Sequence, residues 1–143
     1  MIKRIISTCC MAVSVVLMAL PYGVAMTFWY SGPPDFETVT LYYSYFNMMP
    51  LGYGNIFPMI TAMLSSGVLM RLLIGIIAVV RKRRNSDDIG KPTFILLMIC
   101  IIASVLSWVI FSAITVIGVI VVILHAAAFI LLLNRKAADA VLS

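Results

Sequence analysis

Only Arg71 and His125, among the side chains of this chain's long apolar runs, carry a charge or can acquire one by binding a proton. An arginine near the middle of a bilayer costs roughly 2.5–3.5 kcal/mol on insertion scales, so a chain that keeps one there needs a partner for it. Arg71 lies ten residues before Arg81, and His125 ten before Arg135. At ~1.5 Å per helical residue, both sit about 15 Å from a basic flank. The same depth counted from Arg4 reaches Ser14, and from Lys91 it reaches Ile101, between Cys100 and Ser104. Four helices in register would therefore gather Arg71, His125, Ser14 and Cys100 or Ser104 into one intramembrane polar layer. With Arg71 as a fixed charge, such a layer could hold an anion, a ligand or a proton. As pure structure, it would be a hydrogen-bond layer in which Arg71 donates to hydroxyls and helix carbonyls. Gly67, Arg71, Gly75 and Ala78 recur at helical spacing, which predicts that Arg71 faces protein.

Other chemistry is poorly supplied. No acidic residue lies in any apolar run, which removes paired carboxylates and the likeness to four-span multidrug transporters, whose first span needs an acid. Met59 and Met63 form a spacing seen in copper-conducting helices, but flexible methionine is ordinary packing. Cys9, Cys10 and Cys100 all fall within apolar runs without a C-x-x-C pair, so neither a disulfide framework nor thiol exchange is expected. Packing is the simplest role for all three, with palmitoylation of the Cys9-Cys10 pair as the alternative. One histidine and three cysteines make no zinc site, and no Ser/His/Asp set or phosphate loop is present. The sequence predicts no enzyme, no cofactor and no metal.

The elements that must position the layer follow from composition. With 64% apolar residues, 10% charged residues and a mean hydropathy of +1.16, the chain has more apolar surface than a water-soluble fold of 143 residues can hide. Nine of the ten Lys and Arg residues fall in three clusters: Lys3-Arg4, Arg81 to Arg84 with Lys91, and Arg135-Lys136. Basic residues collect on cytoplasmic flanks, so the clusters orient the spans and need no nucleic acid to explain them. The third apolar run, Phe94 to Leu133, is about twice the length of a single crossing and is basic at both ends. It must cross twice, turning near Ala113. The expected fold is an all-α, integral membrane four-helix bundle with both termini cytoplasmic. Its spans run over 5–26, 56–80, 93–112 and 114–133, with an outer segment at 27–55 and an inner loop at 81–92. Residues 1–25 also have the three zones of a secretory signal ending at Ala25, which leaves cleavage open as an alternative to a retained first helix.

The outer segment is the unusual part. Ten of the fifteen aromatic residues lie between Phe28 and Phe57. Rings of this kind favour the headgroup zone, so the segment is expected to lie flat on the outer membrane face. Asp35 could cap a short helix through Met49, with Leu41, Tyr45, Met48 and Met49 on one side. Trp29, Tyr42, Tyr43, Tyr45 and Phe46 then form either an aromatic belt that sets depth or a docking face for a partner. The stretch Pro21 to Met26, together with Tyr42 to Asn55 (YYSYFNMMPLGYGN), resembles small four-helix membrane proteins of Gram-positive bacteria. That resemblance covers nearly the whole chain and implies the four-span fold, but no activity and no site residues.

The function expected from sequence is a non-enzymatic accessory or partner-binding subunit in the cell membrane. Its partners would be the bilayer and another membrane protein or a second copy. The competing reading is a small transporter or channel subunit that uses the Arg71–His125 layer.

Overall fold

The computed structural model describes residues 2–31, 36–47, 56–81, 90–111 and 114–141. Of these, 28–31, 36–37, 90–91, 110–111 and 134–141 are described as backbone only. Four helices carry the chain: α1 (Ile2–Ala19), α2 (Ile56–Val80), α3 (Gly90–Phe111) and α4 (Val116–Val141). Each contains a stretch long and apolar enough to cross a membrane. Pro58 and Pro92 stand in the first turns of α2 and α3, where a missing N–H costs little. α1 packs on α2 and α4, and α3 packs on the same two, so the helices form a ring with α2 and α4 on opposite sides of its axis.

Hydrophobicity is distributed inversely to that of a water-soluble bundle. The outward faces are large aliphatics: Val16 is 64% exposed, Met63 65% and Val109 71%. The interior instead collects Ser7, Ser14, Thr61, Ser65, Thr93, Ser104 and Ser107. Lipid rewards an apolar exterior, and small hydroxyl residues let helix backbones approach closely. Several hydroxyls bond back into their own helix one turn earlier, Thr61 to the Phe57 carbonyl (2.9 Å) and Ser66 to that of Ala62 (2.8 Å). Such bonds remove polar groups from lipid without needing a neighbour.

The outer segment departs from expectation. Two antiparallel strands, β1 (Val24–Ser31) and β2 (Phe36–Tyr43), pair from Val24↔Tyr43 to Ser31↔Phe36. This replaces both the helix expected from Asp35 to Met49 and the last residues of the expected first span. Val39, Thr27, Thr38, Thr40 and the aromatics are strand formers, and the Gly32-Pro33-Pro34-Asp35 sequence between the strands is a turn signal, which outweighs Asp35 as a helix cap. α1 stops at Ala19 because Pro21 and Gly23 follow. Asp35, Met48, Met49, the inner loop 82–89 and the turn residue Ala113 lie outside the described residues.

Tyr45 docks the hairpin onto the bundle. It is 3% exposed, and its N–H donates to the Met18 carbonyl at the end of α1 (3.0 Å). A Cβ on Gly23 would come within 2.8 Å of its ring. On the other side stands Gly118, where a Cβ would meet Thr115 Oγ1 at 2.8 Å, Trp108 Nε1 at 3.1 Å and the Tyr45 hydroxyl at 3.3 Å. Thr115 caps α4 by accepting the Gly118 N–H (3.0 Å), and its hydroxyl donates to the Gly23 carbonyl (2.6 Å). α1, the hairpin and α4 are thus tied together at one end of the bundle.

Burial pushes the Tyr45 phenol up to about 12 from its ordinary value near 10. The folded state therefore holds this proton while the unfolded chain releases it. The contribution is fully present below pH 10 and is lost as pH rises toward 12, a fall of at most about 2–3 kcal/mol. Unfolding measured across that range should show wild type losing more stability than Tyr45→Phe. Parallel loss in the two proteins would contradict this docking.

Candidate functional site

The bundle interior is layered. One apolar cluster, nearer the hairpin, contains Met18, Val24, Met26, Tyr45, Ala62 and Val121, and a second contains Met11, Val68, Leu72, Leu97 and Ala128. Between them lies a polar layer that takes one residue from each helix: Ser14 from α1, Ser65 from α2, Cys100 from α3 and His125 from α4. All four are fully buried. In α1, α2 and α4, the layer residue stands about one turn from an apolar cluster member on either side, which makes the layer a property of helical phase.

His125 is its centre. Nδ1 lies 2.7 Å from the Val121 carbonyl oxygen, so Nδ1 carries a proton and donates it there. Ser14 Oγ is 3.4 Å from the same nitrogen. On the far side of the ring, Nε2 lies 2.7 Å from Ser65 Oγ, and in this tautomer it accepts the serine proton. Ser65 Oγ is also 2.6 Å from the Thr61 carbonyl and 3.7 Å from Cys100 Sγ. One imidazole thus reaches across the bundle axis from α4 to α2 and touches α1 on the way.

A serine 2.7 Å from a histidine nitrogen is the geometry of an activated nucleophile. Here the groups around it do something else. The ring is oriented by a backbone carbonyl of its own helix, the single Ser65 proton has both Nε2 and the Thr61 carbonyl within reach, and both side chains have 0% exposure. Among the described residues no group of three or more His, Cys, Asp and Glu gathers for a metal ion. The arrangement cross-links helices.

Two expected members are placed differently. Ser104 is buried on α3 one turn from Cys100, but its Oγ has no hydrogen-bond partner among the described residues. Arg71 is exposed on α2 and does not join the layer. The buried face of α2 is Pro58, Thr61, Ala62, Ser65, Val68, Leu72 and Gly75, and position 71 falls outside it. Gly67, expected beside Arg71 on a packed face, is also exposed. Equal depth below the basic flanks failed because the flanks do not mark the same level: α2 ends at Val80, before Arg81, whereas α4 runs through Arg135 to Val141. Ser65, the α2 member that was missed, lies 16 residues from Arg81, whereas His125 lies ten from Arg135. The available signal was the run Thr61, Ser65, Val68, Leu72, whose spacing of three and four marks a face that excludes Arg71.

The aromatic docking face also divides. Tyr45 is buried and Tyr43 half-buried against the bundle, while Tyr42 and Phe46 are exposed. The Trp29 side chain lies outside the described residues, although its backbone pairs with Thr38. Tyr22 and Tyr42 stack at 6.0 Å with their rings tilted, beside an open groove of about 280 Å³ lined also by Ala25, Ile114, Thr115, Val116 and Ile117. Comparison with protein families, curated proteins and solved structures returns no match.

His125→Leu should lower bundle stability by only about 1 kcal/mol, since intramembrane hydrogen bonds average ~0.6 kcal/mol and leucine refills much of the volume. Arg71→Leu should leave stability within about 0.5 kcal/mol of wild type, because position 71 is exposed and lies off the buried face of α2. Reversible unfolding in bicelles measures both. A larger loss from Arg71→Leu than from His125→Leu would contradict the assignment of the layer.

Proposed function

We propose that the chain is a multi-pass protein of the cell membrane, with both termini in the cytoplasm, that acts as a non-enzymatic accessory or partner-binding subunit. The observation that carries this reading is the division between a sealed interior and an outward hairpin. Ser14, Ser65 and His125 of the interior are bonded to one another and to helix carbonyls, whereas Tyr22 and Tyr42 are 64% and 55% exposed beside a groove. Clustered exposed aromatics of this kind concentrate binding energy at interfaces and in the headgroup zone. The basic residues at 3–4, 81–84 and 135–136 support the orientation, which sets the hairpin outside. Retention of the first helix fits the packing. Cleavage after Ala25 would remove Met11, Ser14 and Met18 from the interior and cut into β1. Four-span architecture also agrees with the resemblance to small membrane proteins of Gram-positive bacteria.

The transporter reading needs Arg71 and His125 to act together. The exposure of Arg71 and the engagement of both His125 nitrogens weigh against it. A photo-crosslinking residue at Tyr42 or Phe46 should give one discrete protein adduct in intact membranes, and the purified chain in liposomes should carry no solute. Adducts with lipid alone would sink the partner-binding role. A solute flux that is lost in His125→Leu would establish the transporter instead.

A further inference from the structure

Arg71 belongs to a continuous outward stripe of α2. Ile60, Met63, Gly67, Arg71 and Ile74 follow one another at intervals of three or four residues and are all exposed. A guanidinium is a fixed cation with five N–H donors, and lipid tails offer it no acceptor. It stands nine residues before Val80, the nearer end of α2, or roughly 13 Å at ~1.5 Å per residue. Cα–Cβ bonds tilt toward a helix's N-terminus, which points this side chain away from that nearer end and shortens its reach to headgroups. The partner it needs is therefore a group within the membrane.

No carboxylate of this chain can be that partner. Its five acidic residues are Asp35, Glu37, Asp87, Asp88 and Asp139, and none falls within the four candidate spans. A second copy consequently has no intramembrane carboxylate to offer either. We propose that the Ile60–Ile74 face docks a transmembrane helix of a different protein, one that carries an Asp or Glu at the depth of Arg71. A carboxylate accepts two parallel bonds from a guanidinium, which no other side chain matches. One turn away, Gly67 has no heavy atom within 4 Å of where a Cβ would stand, so a second helix can approach the backbone there. The proposal rests on the partner-binding reading and names the chemistry of one partner, at a face separate from the hairpin.

The test uses the full chain in phosphatidylcholine vesicles with a synthetic leucine-rich helix of about 20 residues bearing one central Glu, and its Gln twin. Energy transfer between the peptide and a dye at the chain's C-terminus reads association. The Glu peptide should bind at least tenfold more tightly than the Gln twin. That preference should vanish in Arg71→Leu, persist in part in Arg71→Lys, and fall several-fold in Gly67→Leu. Unchanged helix content in each variant verifies folding. Equal binding of the two peptides, or a preference surviving in Arg71→Leu, would overturn the proposal. So would self-association of the chain that depends on Arg71 without any Glu preference, which makes the occupant a second copy. Loss of the preference on adding phosphatidylglycerol would assign the face to lipid phosphate and overturn it as well. Failure here with a discrete hairpin adduct at Tyr42 would remove this partner while leaving the partner-binding reading intact.

Discussion

Lipid cannot hydrogen-bond, and that constraint organises the whole chain. Most hydroxyls of the four helices, and the imidazole, are turned inward, where protein groups can satisfy them. His125 makes the requirement most visible. A buried imidazole has two nitrogens to match, and they find the Val121 carbonyl on one side and Ser65 on the other, with Ser14 near the first. Matching both nitrogens fixes the rotation of α4 and brings α1 and α2 to it. Many of the large apolar side chains, which need no partner, face outward.

The same economy explains how the hairpin is held. Two strands alone are marginally stable, so the hairpin needs a third surface. Val24, Met26 and Tyr45 supply that contact by joining Met18, Ala62 and Val121 in the apolar cluster beneath it. The turn between α3 and α4 contributes Thr115, whose hydroxyl serves α4 as a cap and the hairpin as a donor. Small residues at 23 and 118 leave room for the Tyr45 ring between them. The hairpin, the last turn of α1 and the first turns of α2 and α4 therefore form one unit, with Tyr42 and Phe46 exposed on it.

The helices were legible in the sequence because a twenty-residue apolar run has few alternatives to a spanning helix, and α2 occupies the residues its run marked out. The hairpin was not. Aromatic and threonine residues are compatible with an interfacial helix, and only their β-branching and the Gly-Pro-Pro-Asp punctuation favoured strands. The polar layer was half legible. Depth alone brought His125 and Ser14 together and left Cys100 and Ser104 as alternatives on the third span. On α2 a charge drew attention that belonged to phase: Arg71 was the conspicuous residue, yet Ser65 sits on the buried face with Thr61, Val68 and Leu72. Depth is a count along one helix, whereas facing is a relation between helices, and it is settled by which side chains need each other.

Which face of α2 meets lipid is the most direct test of this account. Nitroxide labels placed singly from Ile60 to Leu72, in the purified chain reconstituted without partners, report contact with lipid through oxygen-enhanced relaxation. Accessibility should peak at Ile60, Met63, Gly67 and Arg71 and fall to its minima at Thr61, Ser65, Val68 and Leu72. The opposite phase, with Arg71 shielded and Ser65 open to lipid, would contradict the assignment of the polar layer and of the outward arginine together.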